Sequence, residues 1–158
     1  GRFMEVKNHE TLIRAFAEIA AAHENVKLQL IGEGELRPQM EELVKSLKIK
    51  SKVDFLGLQA NVYPFLHEGI PMTLIEAMGT RLPIISCAVG GIPDMLTDEQ
   101  NALLVSPDVE GIAHGMERLY SDRVLRERLG MAAERRSEDF SSETMAMKYI
   151  NVYKMLEC

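Results

Sequence analysis

Glu68-Gly69-Ile70-Pro71-Met72-Thr73-Leu74-Ile75-Glu76-Ala77-Met78-Gly79 sets two carboxylates eight positions apart, the first in a Gly-Pro turn and the second about two turns into an apolar helix. The first amide N–H groups of such a helix have no partner in a preceding turn, and the helix dipole is positive there, so its mouth is suited to phosphate. Helical side chains lean toward the N-terminus, so Glu76 is expected to point back at the same mouth. Phosphate-holding amides between two acids that can accept from hydroxyls suit a nucleotide-sugar. The same residues read equally well as a buried helix with an incidental acid at its start, and one such pair is a weak signal by itself.

Downstream of this stretch, Leu82 to Ala88 is an almost wholly apolar run, as expected of a strand covered on both faces. Gly90-Gly91-Ile92-Pro93-Asp94 reads as a turn with Pro93 opening a short helical segment, and Ala102 to Val105 as a last short strand. Asp108, Asp122 and Ser141 are placed to cap three helices, whose apolar stripes run through Ile112, Met116 and Leu119, through Leu125, Leu129 and Ala133, and through Met145, Tyr149 and Val152. Upstream, Asn8 is an expected N-cap for a helix over residues 9–22, on which Leu12, Ile13, Phe16 and Ile19 recur at helical spacing. Lys27 to Ile31 reads as a strand ended by the tight turn Gly32-Glu33-Gly34. A helix striped with Leu36, Met40, Leu43 and Leu47 follows, and Lys52 to Gly57 is the next strand. Helices alternating with short strands predict an α/β fold with a parallel sheet.

At 158 residues, with 46% apolar and 27% charged residues, the chain has the length and composition of one globular domain. A formal net charge of -6 argues against sequence-independent nucleic-acid binding, which needs a basic face. Cys87 and Cys158 make neither a disulfide framework nor a zinc spacing, and Cys87, in an apolar run, is expected to be an inert buried thiol. His9, His23, His67 and His114 show no metal-ligand spacing and read as surface or helix residues. Ten methionines, several at helical spacing, read as core filling. No run reaches the ~18 apolar residues of a membrane span, and no signal-type segment opens the sequence. A cytoplasmic setting is expected, with a peripheral position at the inner membrane face left open.

Taken together, these pieces resemble the C-terminal, donor-binding domain of family 4 retaining glycosyltransferases, which have the GT-B fold. The resemblance is carried by Gly1-Arg2-Phe3 through Lys7-Asn8, Leu30-Ile31-Gly32-Glu33-Gly34-Glu35-Leu36 and Val53-Asp54-Phe55-Leu56-Gly57. It continues through Glu68-Gly69-Ile70-Pro71 to Gly79, Leu82-Pro83-Ile84-Ile85, Gly90-Gly91-Ile92-Pro93-Asp94 and Asn101-Ala102-Leu103-Leu104-Val105, in the family's order. It implies that Arg2 and Lys7 hold the donor diphosphate and stabilise the leaving nucleoside diphosphate, and that Glu68 contacts the transferred sugar. Glu76 would bind the ribose hydroxyls, and Thr73 and Leu74 would offer backbone N–H groups to the diphosphate. Gly1, Gly32, Gly34 and Gly69 would let the backbone come close to the donor; a plain strand-ending turn explains Gly32 and Gly34 equally well. It further implies that Arg and Lys do the work of a divalent cation, so neither metal nor cofactor is expected.

Two departures from the family pattern stand out. The sequence starts at the Gly-Arg turn with no strand before it, and about ten residues between Gly57 and Glu68 leave no room for both a crossover and a further strand. In a Rossmann-like doubly wound sheet of order 3-2-1-4-5-6, the absent strands are 1 and 4, the middle pair. Such a chain would expose unpaired backbone groups and is not expected to fold alone as a compact domain. About a dozen residues are expected to be missing near Leu66–Gly69, with a longer piece before Gly1, and a Cα step well above 3.8 Å within residues 65–70 would mark the gap. If the gap follows Glu68, that residue belongs to the preceding helix and is not the motif acid.

The expected function is transfer of a hexose from a nucleoside-diphosphate sugar to a hydroxyl acceptor with retention, residues 1–158 being the donor-binding domain. The expected partners are the donor, a glycan, lipid-linked or small-molecule acceptor, and an N-terminal acceptor domain, without which the chain should not turn over. A non-catalytic nucleotide-sugar module and a GT-B-like nucleotide-sugar epimerase remain open alternatives.

Overall fold

The computed structural model describes residues 2–57, 72–147 and 150. They fall into two compact units, one of residues 1–64 with 105–120 and the other of residues 65–104 with 121–158.

In the first unit α1 (His9–Ala22) buries Ile13, Ala15, Phe16, Ile19 and Ala20, the face that the sequence periodicity marks. Strands β1 (Leu28–Ile31) and β2 (Val53–Gly57) pair in parallel, with Leu28 opposite Val53 and Leu30 opposite Phe55. The register then slips, so that Ile31 faces Gly57 and Leu56 is the extra residue of a bulge. Gly57 takes φ +67 there, a left-handed conformation in which glycine has no steric cost. Helix α2 (Arg37–Ser46) has Pro38 in its first turn, as expected, and buries Met40 and Val44. It ends at Lys48, which is left-handed (φ 59); the N–H of Ile49 donates to Val44 and that of Lys48 to Lys45. Ile49 and Val44 both lie in the core of this unit, with Phe3, Ile13, Phe16, Leu30 and Val53.

The C-terminal end of α1 has no basic residue in its own last turn. Lys52 supplies the charge from elsewhere, its Nζ donating to the carbonyls of Ala20 and His23, each at 2.7 Å. These carbonyls have no helical partner and carry the negative end of the dipole. Lys52→Met keeps the apolar stem and removes the ammonium, and should cost about 1–2 kcal/mol of stability in urea denaturation. A midpoint equal to wild type would show that water serves these carbonyls as well.

The second unit holds α3 (Met72–Gly79), the two-residue strands β3 (Ile85–Ser86) and β4 (Leu103–Leu104), and α4 (Ile92–Met95). Helix α5 (Val109–Ser121) belongs to the first unit except for its last residue, and α6 (Arg123–Ser137) to the second. Strands β3 and β4 pair in parallel, and Leu74, Met78, Ile84, Met95, Leu96, Ala102 and Ala133 form the core. The Asp122 and Ser141 side chains accept from the N–H groups of Leu125 and Thr144, and Asp108 from that of Gly111, so the three expected caps are present.

Among the described residues the sheets are β1-β2 and β3-β4. Both pairs are parallel, as the alternation of helices and strands predicts. Each strand pair has its own buried cluster. The Leu82–Ala88 run departs from the sequence reading. Only Ile84 is buried; Ile85 and Ser86 are half-buried and Leu82 is 55% exposed. The paired part of the run is only Ile85–Ser86, and the exposed Leu82 and Ala88 lie beyond its ends. Cys87 is accordingly half-buried and not the fully buried thiol expected. The chain step within 65–70 and the short helix before Glu68 lie outside the described residues.

Candidate functional site

Residues 2–8 form the loop that carries both candidate cations. Arg2 and Lys7 are exposed, while Phe3 between them has 0% exposure. The Phe3 N–H donates to the Glu33 carbonyl at 3.0 Å, and the Phe3 carbonyl accepts from the Leu36 N–H at 3.2 Å. Its ring stacks on His9 at 4.4 Å between centroids and tilts against Phe55 at 5.8 Å. A 3-10 turn over Glu5–Lys7 follows, closed by the Asn8 N–H donating to Glu5.

Asn8 corrects an expectation. It stands at the start of α1, but its side chain caps no backbone N–H; its carboxamide oxygen accepts from the Thr11 hydroxyl at 2.7 Å. The residue is left-handed (φ 45), a conformation asparagine tolerates better than other side-chain-bearing residues, and this lets the 3-10 turn stop and the helix begin.

The Gly32-Glu33-Gly34 turn sits at the C-terminal end of β1, where ligands bind in open α/β sheets. Gly32 has φ 138, closed to side-chain-bearing residues, and its N–H donates to the Gly57 carbonyl at 2.9 Å. A Cβ on Gly34 would lie 2.5 Å from the Phe3 carbonyl oxygen and 2.6 Å from the Phe3 nitrogen. The space that glycine leaves is therefore filled by the backbone of Phe3. Glu33 pairs with Arg37, which also donates to Glu41 at 2.9 Å and lies 5.7 Å from the Phe55 ring centroid.

Beside the loop is a cleft of about 340 Å3 lined by Met4, Glu5, Asn8, His9, Leu36 and Gln39, among others. Burial, and to a lesser extent the nearby charge of Lys7, holds the His9 imidazole below its ordinary value.

In the second unit, Leu74 and Met78 are the buried face of α3, and Glu76, two residues from each, is exposed on the other side. Thr73 is exposed and Leu74 buried; their N–H groups fall in the first turn of the helix, which has no intrahelical acceptor. The structure thus brings Arg2, Lys7, Gly32 and Gly34 together in the first unit, and Thr73, Leu74 and Glu76 in the second. Gly1, Glu68 and Gly69 lie outside the described residues.

Sequence reading did not single out Phe3; it read His9 as a surface or helix residue, and His9 is the first residue of α1. The available signal was an aromatic residue inside a loop of charged neighbours, where an apolar side chain has little reason to be unless it is buried. Asn101, noted only within its motif, is buried and supports the turn before β4. Its side chain accepts from the Thr97 N–H at 2.7 Å and donates to the Met95 carbonyl at 3.2 Å.

Residues 1–136 match the family glycosyl transferases group 1, and the chain belongs to that family. Among curated relatives, the lipopolysaccharide core biosynthesis glycosyltransferase LpsD of Rhizobium meliloti is 33% identical over 97% of this chain and 47% of its own length. Among solved structures, sucrose-phosphate synthase from Thermosynechococcus elongatus aligns with a TM-score of 0.84 and 28% identity, over 99% of this chain and 44% of that one. The Anabaena protein HepE in complex with UDP aligns with a TM-score of 0.85 and 18% identity, over 98% of this chain and 47% of that one. The fold is α/β, similar to part of these Rossmann-like GT-B proteins. The chain spans about half the length of the curated relatives it matches. Among the described residues no helix is long and apolar enough to cross a membrane.

Proposed function

We propose that this chain is the donor-binding half of a retaining glycosyltransferase that moves a hexose from a nucleoside-diphosphate sugar to a hydroxyl acceptor. The observation that carries the reading is the loop of residues 2–8, which presents two exposed cations from a backbone fastened to the end of β1. Cations so placed suit a diphosphate: they make charge-assisted hydrogen bonds to it, and they stabilise the charge that grows on the leaving nucleoside diphosphate. The reading assigns the donor's positive counter-charge to Arg2 and Lys7 and needs no divalent cation. Glu76 takes the ribose hydroxyls as a pure acceptor, Thr73 and Leu74 offer first-turn N–H groups to the phosphates, and Glu68 faces the transferred sugar. Gly32 and Gly34 shape the turn behind the loop, and to Gly1 and Gly69 the reading assigns close backbone approach to the donor. UDP bound to HepE is in keeping with this ligand class. The acceptor and its binding groups are assigned to an N-terminal domain across the cleft.

Thermal-shift titration of the full-length enzyme with UDP, GDP, ADP and their sugar conjugates tests the reading, because a ligand that binds only the folded state raises its melting temperature. One class should produce a clear upward shift. Glu76→Ala should abolish most of that shift, and an undiminished shift in the variant would remove Glu76 from the ribose role.

A further inference from the structure

We propose that the Phe3–His9 stack is the positioning element that sets the spacing of Arg2 and Lys7, an inference that rests on the diphosphate reading above. Arg2 directly precedes Phe3, and Lys7 lies two residues before His9, so one cation sits just outside the segment that the ring pair closes and the other just inside its far end. Between the rings run only five residues, and these are held by short-range bonds. The Met4 N–H donates to Arg2, that of Lys7 to Met4 and that of Asn8 to Glu5, each at 3.0 Å. With its ends joined, the loop has little slack left.

Each ring is also anchored from behind. Phe3 is wholly buried among Ile13, Phe16, Met40 and Phe55, and its backbone is bonded on both sides to Glu33 and Leu36, an approach only glycine at position 34 allows. His9 is the first residue of α1, whose Ile13 and Phe16 belong to the same core. The stack therefore ties the cationic loop to α1 and to the β1 end together. Long cationic side chains lose much rotamer freedom when they fix on a ligand, and a backbone already set at the right spacing lowers that cost. Neither ring needs to touch the ligand; Phe3 has no surface with which to do so. Burial disfavours the charged form of His9, which suits the ring to serve as a flat stacking partner beside Lys7.

The test is isothermal titration of the full-length enzyme with UDP, GDP and ADP, using whichever binds wild type tightest, with His9→Ala, His9→Phe and Arg2→Ala compared. His9→Ala removes the stack and should weaken binding about three- to tenfold, the range expected of an aromatic pair converted to affinity. His9→Phe restores a stacking ring without the imidazole and should bind within about twofold of wild type. A residue that only supports the fold would lower the melting temperature and leave the affinity of the folded protein unmoved. If His9→Ala and His9→Phe weaken binding equally, the imidazole itself is what matters and the inference is wrong. It is also wrong if neither changes affinity while Arg2→Ala does, though the diphosphate reading then survives. If Arg2→Ala binds as wild type, the diphosphate reading itself has failed.

Discussion

Gly34→Ala should lower the stability of the protein by about 3 kcal/mol, the upper part of the usual range for forcing atoms into a packed site. The added Cβ would lie within 2.8 Å of three backbone atoms of Phe3, and backbone cannot rotate away as a side-chain tip can. Relief requires Phe3 to retreat from Glu33 and Leu36, which breaks both hydrogen bonds and draws its ring out of a core position with no exposure. Urea denaturation would show a lower midpoint. Because Phe3 carries Arg2 with it, nucleoside-diphosphate affinity should fall in whatever fraction remains folded. A midpoint within about 0.5 kcal/mol of wild type, the scatter of ordinary surface changes, would mean that the close approach does not exist in solution.

The second large effect is on the ligand. Arg2→Ala with Lys7→Ala should weaken nucleoside-diphosphate binding by roughly 10²–10⁴, since two hydrogen bonds to charged groups contribute about 1.5–3 kcal/mol each and every 1.4 kcal/mol is tenfold. Both side chains are exposed, so the wild-type affinity should also decline as salt screens them. Arg2→Lys should recover only part of the loss, because an ammonium lacks the planar fork that meets two phosphate oxygens at once. If leaving-group charge is stabilised here, kcat falls along with affinity, and a loss confined to KM would assign the pair to ground-state binding alone. Binding within twofold of wild type in the double variant would end the proposal.

Much of the architecture was legible in the residues. The period of 3.6 that brings Ile13, Phe16 and Ile19 onto one face found α1 to the residue, and the Asp108, Asp122 and Ser141 caps marked where later helices begin. The parallel pairing within each unit followed from the alternation of helices with short strands. The Leu82–Ala88 run was read as one covered strand, because apolar composition does not register that, among the described residues, only Ile85 and Ser86 of it pair with β4. Asn8 was assigned the right place and the wrong work: the preference of asparagine for helix starts and its tolerance of left-handed backbone produce the same letter. The site was legible as a list of charges and glycines. What periodicity could not supply was the contact between Phe3 and Gly34, residues far apart in sequence whose backbones touch, nor the partnership of Phe3 with His9.

The chain order of the two units has a consequence for synthesis on the ribosome. The first unit is made of residues 1–64 and 105–120, so its described strands β1 and β2 are both made long before α5 is. That helix supplies Ala113, which packs with Ala15 and Ile19 of α1, and Glu117, whose Oε2 lies 2.7 Å from His23 Nε2. A nascent chain that has emerged only as far as β4 must carry the outer side of α1 bare until some fifteen further residues clear the exit tunnel. Each unit brackets part of the other in the gene, so no single cut yields two halves that could be expressed apart, and a fusion or permutation junction between residues 64 and 105 would sever a unit from the helix that finishes it.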